Sequence, residues 1–318
     1  MDSIVHPIEW RPSATVETLR RRAEMVEAVR GFFAQRGVLE VDTPVLQGGA
    51  NLDPGISPQR IQCHDGERFL PTSPEHPLKR LVAAGYGPVW TLAPAFRRGE
   101  LGRRHGPEFR MLEWYRPGWD ERQLMHEVLA LLAAIGGWTD EHEVVDYHEL
   151  FARHLDIDPA TVGIDRLVAL LGSDGESLRD DREAALDLLL ATRIEPHLGR
   201  GRFTVVCDYP PHLAAQAQVR SDGAGRRVAA RFEIYREGVE LANGYRELTD
   251  ASELAARLER ELTKRGAEDL RRDQRFEAAM SAGLPECAGV AVGFDRVVML
   301  ALGLSTVAQT QAFDWLHS

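Results

Sequence analysis

Cysteine is scarce in this chain. Cys63, Cys207 and Cys287 are the only three in 318 residues. They stand far apart, the count is odd, and no CxxC spacing occurs. That argues against a disulfide framework or a thiolate zinc site and leaves three reduced thiols as the expectation. Long apolar runs are also missing: no stretch of 18 hydrophobic residues occurs, so no transmembrane helix is expected. Met1 to Trp10 carries acidic residues and no apolar core segment, so it does not read as a secretory signal, and the cytoplasm is the expected compartment. Positive charge is in deficit, with 38 Lys and Arg against 49 Asp and Glu and a net charge of -11. An extended nucleic-acid surface is usually basic, so this balance counts against one, although a local basic patch can sit on an acidic protein. Internal repeats and low-complexity segments are absent.

What is present suits a globular protein. With 44% hydrophobic and 27% charged residues, the chain can bury a sizeable core in one large or two average domains. Residues 15–36 read as an amphipathic helix, with Leu19, Ala23, Val26, Val29 and Phe33 at spacings of three and four and Gly37 as its stop. A short strand over 36–46 ends at proline. A Gly-, Asn-, Asp- and Pro-rich loop covers 47–66, and Glu67–Pro71 reads as a strand. Thr72-Ser73-Pro74-Glu75 reads as a helix start, with a hydroxyl N-cap and proline as the first helical residue. Two strands, 88–97 and 108–116, flank a polar loop at 98–107. Alternation places Phe109, Met111, Glu113 and Tyr115 on one face of the second strand.

Residues 120–200 read as mostly helical and show no chemical constellation, so they are taken as an insertion. Strands return at 202–207 and 228–245, with a hairpin turn at Arg236-Glu237-Gly238. A charged helix covers 251–265. A last strand, 288–293, runs into a helix at 295–302. Strands and helices grouped in this way indicate an α+β fold, not regular βαβ alternation.

Several residue groups carry chemistry. Arg97, Arg98, Arg103, Arg104 and His105 place five cationic or potentially cationic groups within nine residues of an acidic protein. A guanidinium fork suits a carboxylate oxygen and a phosphate oxygen together; a solvated loop is the plainer reading, above all for Arg103 and Arg104. Glu233 and Glu240 lie on opposite arms of the hairpin, within about a residue of facing each other. Two such carboxylates repel unless a cation lies between them. Asn243 and Glu247 share a face of a regular strand. Glu75 at a helix start is stabilising whatever else it does. Gly289 and Gly293, around Ala291, permit close backbone approach to a ligand.

In their order along the chain, these segments resemble motifs 2 and 3 of the class II aminoacyl-tRNA synthetases. The resemblance rests on Phe96-Arg97, His105 and Pro107-Glu108-Phe109-Arg110-Met111-Leu112-Glu113-Trp114-Tyr115, then Glu240-Leu241-Ala242-Asn243-Gly244-Tyr245-Arg246-Glu247-Leu248, then Gly289 to Arg296. The amino-acid pocket of the lysyl branch falls between the motifs. The segment 36–46 resembles motif 1, which implies a homodimer. The resemblance covers about residues 15–310 and implies the class II synthetase catalytic fold, an antiparallel sheet flanked by helices, as a single domain over 1–318 with the insertion at about 120–200. No anticodon-binding domain fits ahead of it, so a tRNA partner is not expected.

The resemblance implies a role for each matching residue. Arg97 would be catalytic, holding the substrate carboxylate and the α-phosphate of ATP. Arg98, Gly99, His105, Gly106, Phe109, Glu240, Leu241, Gly293 and Arg296 would meet ATP. Ser73, Glu75, Tyr115, Asn243 and Glu247 would bind the amino acid, and Glu233 with Glu240 would hold Mg²⁺. Within the class, the chain is most similar to the elongation factor P–(R)-β-lysine ligases, short paralogues of the lysyl enzymes. The missing N-terminal domain, the Glu240-Leu241-Ala242-Asn243-Gly244 run, and Ala291 in place of the usual glycine point that way. This implies activation of (R)-β-lysine or lysine and transfer to elongation factor P. The chain departs from the family at Arg98-Gly99, where Asn-Glu is usual, at Gly106 in place of Asn, and at Arg246, which a regular strand points away from the pocket. A truncated tRNA ligase and an inactive paralogue with a binding role are the competing readings.

Overall fold

The computed structural model describes residues 10–266 and 270–318. Most of the N-terminal segment read as carrying no signal peptide therefore lies outside the described residues. The chain begins with helix α1 (Val16–Ala34), capped by the Thr15 side chain, which accepts from the Thr18 N–H at 3.1 Å. Strand β1 (Leu39–Glu40) follows, then a small hairpin of β2 (Arg60–Cys63) and β3 (Gly66–Phe69). Helix α2 (Glu75–Ala83), strands β4 (Val89–Phe96) and β5 (Glu108–Pro117) and helix α3 (Glu121–Gly136) come next. Strand β6 (His142–Asp146) and helices α4 (Tyr147–Leu155), α5 (Ile164–Leu171) and α6 (Arg182–Leu189) lead to β7 (Phe203–Tyr209) and the short β8 (Val219–Ser221). The hairpin β9 (Arg227–Arg236) and β10 (Val239–Arg246), helices α7 (Ala251–Arg265) and α8 (Gln274–Gly283), strand β11 (Cys287–Gly293) and helix α9 (Phe294–Ala301) complete the order.

The main sheet runs β1-β4-β5-β11-β10-β9-β7-β6, with β8 added against β9. Its centre, β4 through β7, pairs antiparallel, while β1 and β6 join at the two edges as parallel strands. An antiparallel sheet of this kind can bury one face and open the other, and β5 shows how the residues divide. Leu112 and Trp114 pack with Phe33, Val128, Leu132 and Val297 beneath α1, α3 and α9. Phe109, Met111, Glu113 and Tyr115 point the other way, into a cavity, as alternation predicts. A buried polar clamp fixes α3 to the closed face: Glu127 accepts from Trp114 Nε1 at 3.0 Å and from Arg116 Nη2 at 2.6 Å. An Asp120–Gln123 capping box starts that helix, and Gly137, at φ 67°, ends it in the left-handed conformation that glycine adopts without a Cβ penalty.

The segment read as an insertion divides in two. Helix α3 belongs to the core under the main sheet. From Val145 to Leu198, the apolar side chains form a second core with Tyr209 and Tyr235. Strand β6 lies within this segment and pairs with β7; its burial alternates too weakly to announce a strand. A third cluster, with Phe69, Leu78, Val82, Leu254 and Phe276, packs α2, α7 and α8 over the cavity's other flank.

Three local expectations need correction. The strand expected over 36–46 is only Leu39–Glu40, because Val41 makes the last bond to β4 and the chain then turns away before Pro44. Pro74 is the N-cap of α2, not its first residue; the Ser73 hydroxyl instead accepts the Glu75 N–H at 3.1 Å. Glu233 and Glu240 are not opposite each other. Glu233 faces Asn243 and Glu240 faces Tyr235, with a bulge between Glu240 and Ala242. The turn between them has both Glu237 and Gly238 at positive φ, 51° and 70°.

Candidate active site

The open face of the sheet forms the floor of a cavity of about 570 Å³, within the range of about 300–1,000 Å³ usual for small-molecule sites. At one end, Ser73 and Glu75 at the start of α2, Glu113 and Tyr115 on β5, and Glu247 after β10 converge. At the other end, Arg104, His105, Gly106, Phe109 and Arg296 surround a cationic space. Glu233, Glu240, Leu241, Asn243 and Gly293 line the stretch between and beside them. Arg98 and Gly99 do not line the cavity. Arg98 is exposed and gives its backbone N–H to Ser57, and Gly99 turns the chain at φ 84°.

The carboxylate end is closely built. Lys79, which sequence reading passed over as part of the helix, is fully buried and reaches the two acids assigned to the amino acid. Its Nζ is 2.6 Å from Glu247 Oε2, donates to Glu75 Oε1, and donates to Gln216 Oε1 at 3.1 Å. Burial opposes the Lys79 charge, but Glu247 and Glu75 more than offset it, so the ammonium is held above its ordinary pKa. Burial pushes Glu247 upward, and Glu75 adds to the shift against the pull of Lys79. Tyr115 donates to Glu113 Oε1 at 2.9 Å. The other Glu113 oxygen is buried and has no partner. Burial, then repulsion from Glu75, holds Glu113 well above the usual carboxylate range. Gly289 is required beneath this group: a Cβ there would stand 2.3 Å from Tyr115 Cε1 and 2.4 Å from Glu247 Oε1.

The cationic end is tied shut by Arg296. Its Nη1 donates to the Glu240 carbonyl at 2.9 Å and to Glu240 Oε2 at 3.2 Å, and its Nη2 meets His105 Nε2 at 2.6 Å. Burial, then Arg296, lowers the His105 pKa, which leaves a neutral ring able to accept that contact. Arg104 reaches the hairpin tip and donates to the Gly238 carbonyl at 2.7 Å. Arg97 lies over the Phe109 ring at 5.1 Å and donates to the Thr72 carbonyl at 3.4 Å, between the two ends. Arg246 points away, into hydrogen bonds with Glu286 at 3.0 and 3.2 Å, as the strand pattern predicts.

The segment that showed no chemistry in sequence contributes Asp187, Leu190 and Glu195 to the cavity wall. Glu195 is raised to about 7 by burial, then by Glu233 and Glu240. Burial, then Glu233, raises Glu240 as well. Glu233 is bonded by Tyr209, which donates at 2.7 Å, and by Tyr235 and Arg231. Among the described residues, no three acidic, His or Cys side chains converge on one point. A divalent cation would therefore take two of these carboxylates and complete its shell with phosphate oxygens and water, the usual habit of Mg²⁺. Glu233 is already held by Arg231 and two tyrosines and Glu240 by Arg296, but Glu195 and Glu240 still repel enough to be raised, and this donor set fits an ion that would relieve them.

A floor of antiparallel strands, an arginine between an acidic pocket and a cationic one, and a glycine-bearing strand beneath both define a class II synthetase active site. The family of tRNA synthetases class II (D, K and N) matches residues 6–315. Proteins named elongation factor P–(R)-β-lysine ligase align along nearly the whole chain. The one from Pectobacterium carotovorum subsp. carotovorum (strain PC1) is 43% identical over 96% of this chain and 97% of its own length. Those from Proteus mirabilis (strain HI4320) and Salmonella paratyphi B (strain ATCC BAA-1250 / SPB7) are 42% identical with the same coverage. The chain belongs to the class II tRNA synthetase family and, within it, to the elongation factor P–(R)-β-lysine ligases.

Proposed function

We propose that this protein uses ATP to activate (R)-β-lysine and transfers it to the ε-amine of a lysine on elongation factor P, in the cytoplasm. The observation that carries this reading is Arg97, which bonds the Thr72 carbonyl beside the pocket of Glu75, Glu113 and Glu247 and lies over Phe109 beside Arg104, His105 and Arg296. Two ammonium groups and one carboxylate on a single small substrate match the first pocket and Arg97. Polyphosphate matches the second.

In the first step, a substrate carboxylate oxygen attacks the α-phosphorus of ATP, the bond to the β-phosphate breaks, and pyrophosphate leaves. Arg97 holds the attacking carboxylate and the α-phosphate in line and offsets the charge that builds there. Arg296, His105 and Arg104 hold the remaining phosphates, and Phe109 offers a face to the adenine. Glu240 and Glu233 are the residues that would hold Mg²⁺, which supplies charge neutralisation on the phosphates. Glu75, Glu113, Glu247 and Tyr115 orient the two ammonium groups, and Asn243 and Ser73 complete the pocket. In the second step, the acceptor amine, having lost its proton, attacks the adenylate carbonyl. The carbon–oxygen bond to AMP breaks, and an amide forms. The second core (145–198) is proposed as an insertion within one catalytic unit. A homodimer is proposed through the edge near β1, where Leu39 and Leu46 are about half exposed, at 50% and 49%. Sedimentation at micromolar concentration tests the dimer.

The activity is tested by ATP–pyrophosphate exchange with (R)-β-lysine, followed by incubation of labelled amino acid with elongation factor P and, separately, tRNA. Label on elongation factor P supports the reading. Label on tRNA alone makes the protein a minimal tRNA ligase, and no exchange with any lysine analogue makes it an inactive paralogue.

A further inference from the structure

One largely buried cation lining the cavity has no place in the steps above. Arg231 lies on β9, two residues before Glu233, with its side chain 15% exposed. Its guanidinium makes three directed contacts. Nε donates to Asn243 Oδ1 at 3.2 Å, Nη1 donates to the Leu213 carbonyl at 2.6 Å, and Nη2 pairs with Glu233 Oε1. The group also lies over Tyr209 at 4.5 Å and Tyr245 at 5.9 Å from the ring centres.

These contacts join residues of different duty. Asn243 belongs to the amino-acid half of the site, and Glu233 to the half that would hold the phosphates. The guanidinium is planar and rigid, so one donor cannot turn without turning the others. The Leu213 carbonyl and the two rings hold one edge of that plane, so the group can pivot only as a unit. A ligand that sets the Asn243 carboxamide therefore also sets the Glu233 carboxylate, and the reverse.

We propose that Arg231 is a positioning residue that couples occupation of the amino-acid pocket to occupation of the nucleotide pocket. The proposal rests on the two-substrate reading of the cavity given above. Coupling of this kind is reciprocal: each ligand tightens the other by the same factor.

The test is equilibrium binding by calorimetry on the full chain. (R)-β-lysine is titrated with and without saturating α,β-methylene-ATP, which cannot be cleaved at the reacting bond, and the analogue with and without (R)-β-lysine. The wild type is expected to bind each ligand about tenfold tighter in the presence of the other. Arg231→Lys keeps the charge but loses the fork. It is expected to bring that factor below about threefold, while each ligand alone binds within about threefold of wild type. Arg231→Met serves as the stronger deletion, and thermal melting checks that each variant is folded. If Met does not fold, the Lys variant decides. A role confined to stability would lower the melting temperature and leave the coupling factor in place. A wild type without coupling, or an Arg231→Lys protein with full coupling, overturns the proposal. If the wild type binds neither ligand, the two-substrate reading fails instead.

Discussion

Lys79 Nζ stands 2.6 Å from Glu247 Oε2, and the two side chains are 0% and 1% exposed. A buried charge pair is stable only when it is completed by further bonds, and here Glu75 and Gln216 complete it. The pocket thus contains its own ammonium before any substrate enters. Lys79 therefore offsets part of the negative charge that Glu75, Glu113, Glu247 and the nearby buried Asp53 bring to this end of the cavity.

Glu247→Gln is therefore expected to act twice. The apparent affinity for (R)-β-lysine falls by about 1.5–3 kcal/mol, the usual size of a lost charge-assisted bond, while the affinity for ATP changes little. The free protein also melts at a lower temperature, because Lys79 loses one of its two counter-charges. KM values for both substrates and a melting curve check this; equal effects on ATP and amino acid would count against the assignment.

Arg97→Ala is expected to abolish adenylate formation in a folded protein. The guanidinium lies between the two pockets and faces the point where negative charge grows, so its loss raises the barrier by about 3 kcal/mol or more. Pyrophosphate exchange measures the loss. Near-normal exchange in the variant would remove Arg97 from the reaction.

Glu113 gives a pH dependence with a definite sign. Burial, then Glu75, raises its pKa above the ordinary 4.5 in the folded state. A carboxyl group raised on folding contributes stability at pH below its unfolded pKa and loses that contribution as the pH climbs toward the folded value. Glu113→Gln cannot titrate. The stability of the free variant should therefore fall less between pH 5 and pH 8 than that of the wild type. Saturating (R)-β-lysine should flatten the wild-type profile as well, because its ammonium favours ionised Glu113. Denaturant midpoints across that range, with and without substrate, check both statements. Parallel wild-type and variant profiles would show that Glu113 does not titrate there.

The sequence made some parts of this site legible and hid others, for physical reasons. The face shared by Phe109, Met111, Glu113 and Tyr115 follows from the two-residue period of a strand, and the structure places all four in the cavity. The placement of Arg246 followed from the same rule. Lys79 was hidden because a lysine on an amphipathic helix normally faces water, and only the third dimension brings Glu247 to it. Glu195 was hidden inside a segment whose apolar pattern is that of a separate core. The offset of Glu233 from Glu240 depended on a bulge between Glu240 and Ala242 that no local pattern announces.

Ala291 carries the sharpest prediction. On β11 it pairs with Glu113 of β5 on one side and Asn243 of β10 on the other, and it lines the cavity between them. Its methyl group therefore stands on the pocket floor between a carboxylate assigned to the substrate's amines and the carboxamide assigned to the same substrate. Lysyl enzymes generally leave this place to glycine. An α-amine lies against the carbon that bears the carboxylate held by Arg97, whereas a β-amine moves that polar bulk one carbon further along. The methyl group then meets the α-lysine arrangement more closely than the β-lysine one. A methyl-sized misfit is worth about 1–3 kcal/mol, a preference of about tenfold to a hundredfold. The wild type is expected to activate (R)-β-lysine in preference to α-lysine, and Ala291→Gly to narrow the gap mainly by improving α-lysine. Exchange rates for both amino acids on both proteins check the claim. Equal use by the wild type, or an unchanged ratio in the variant, would assign the selectivity to some other residue.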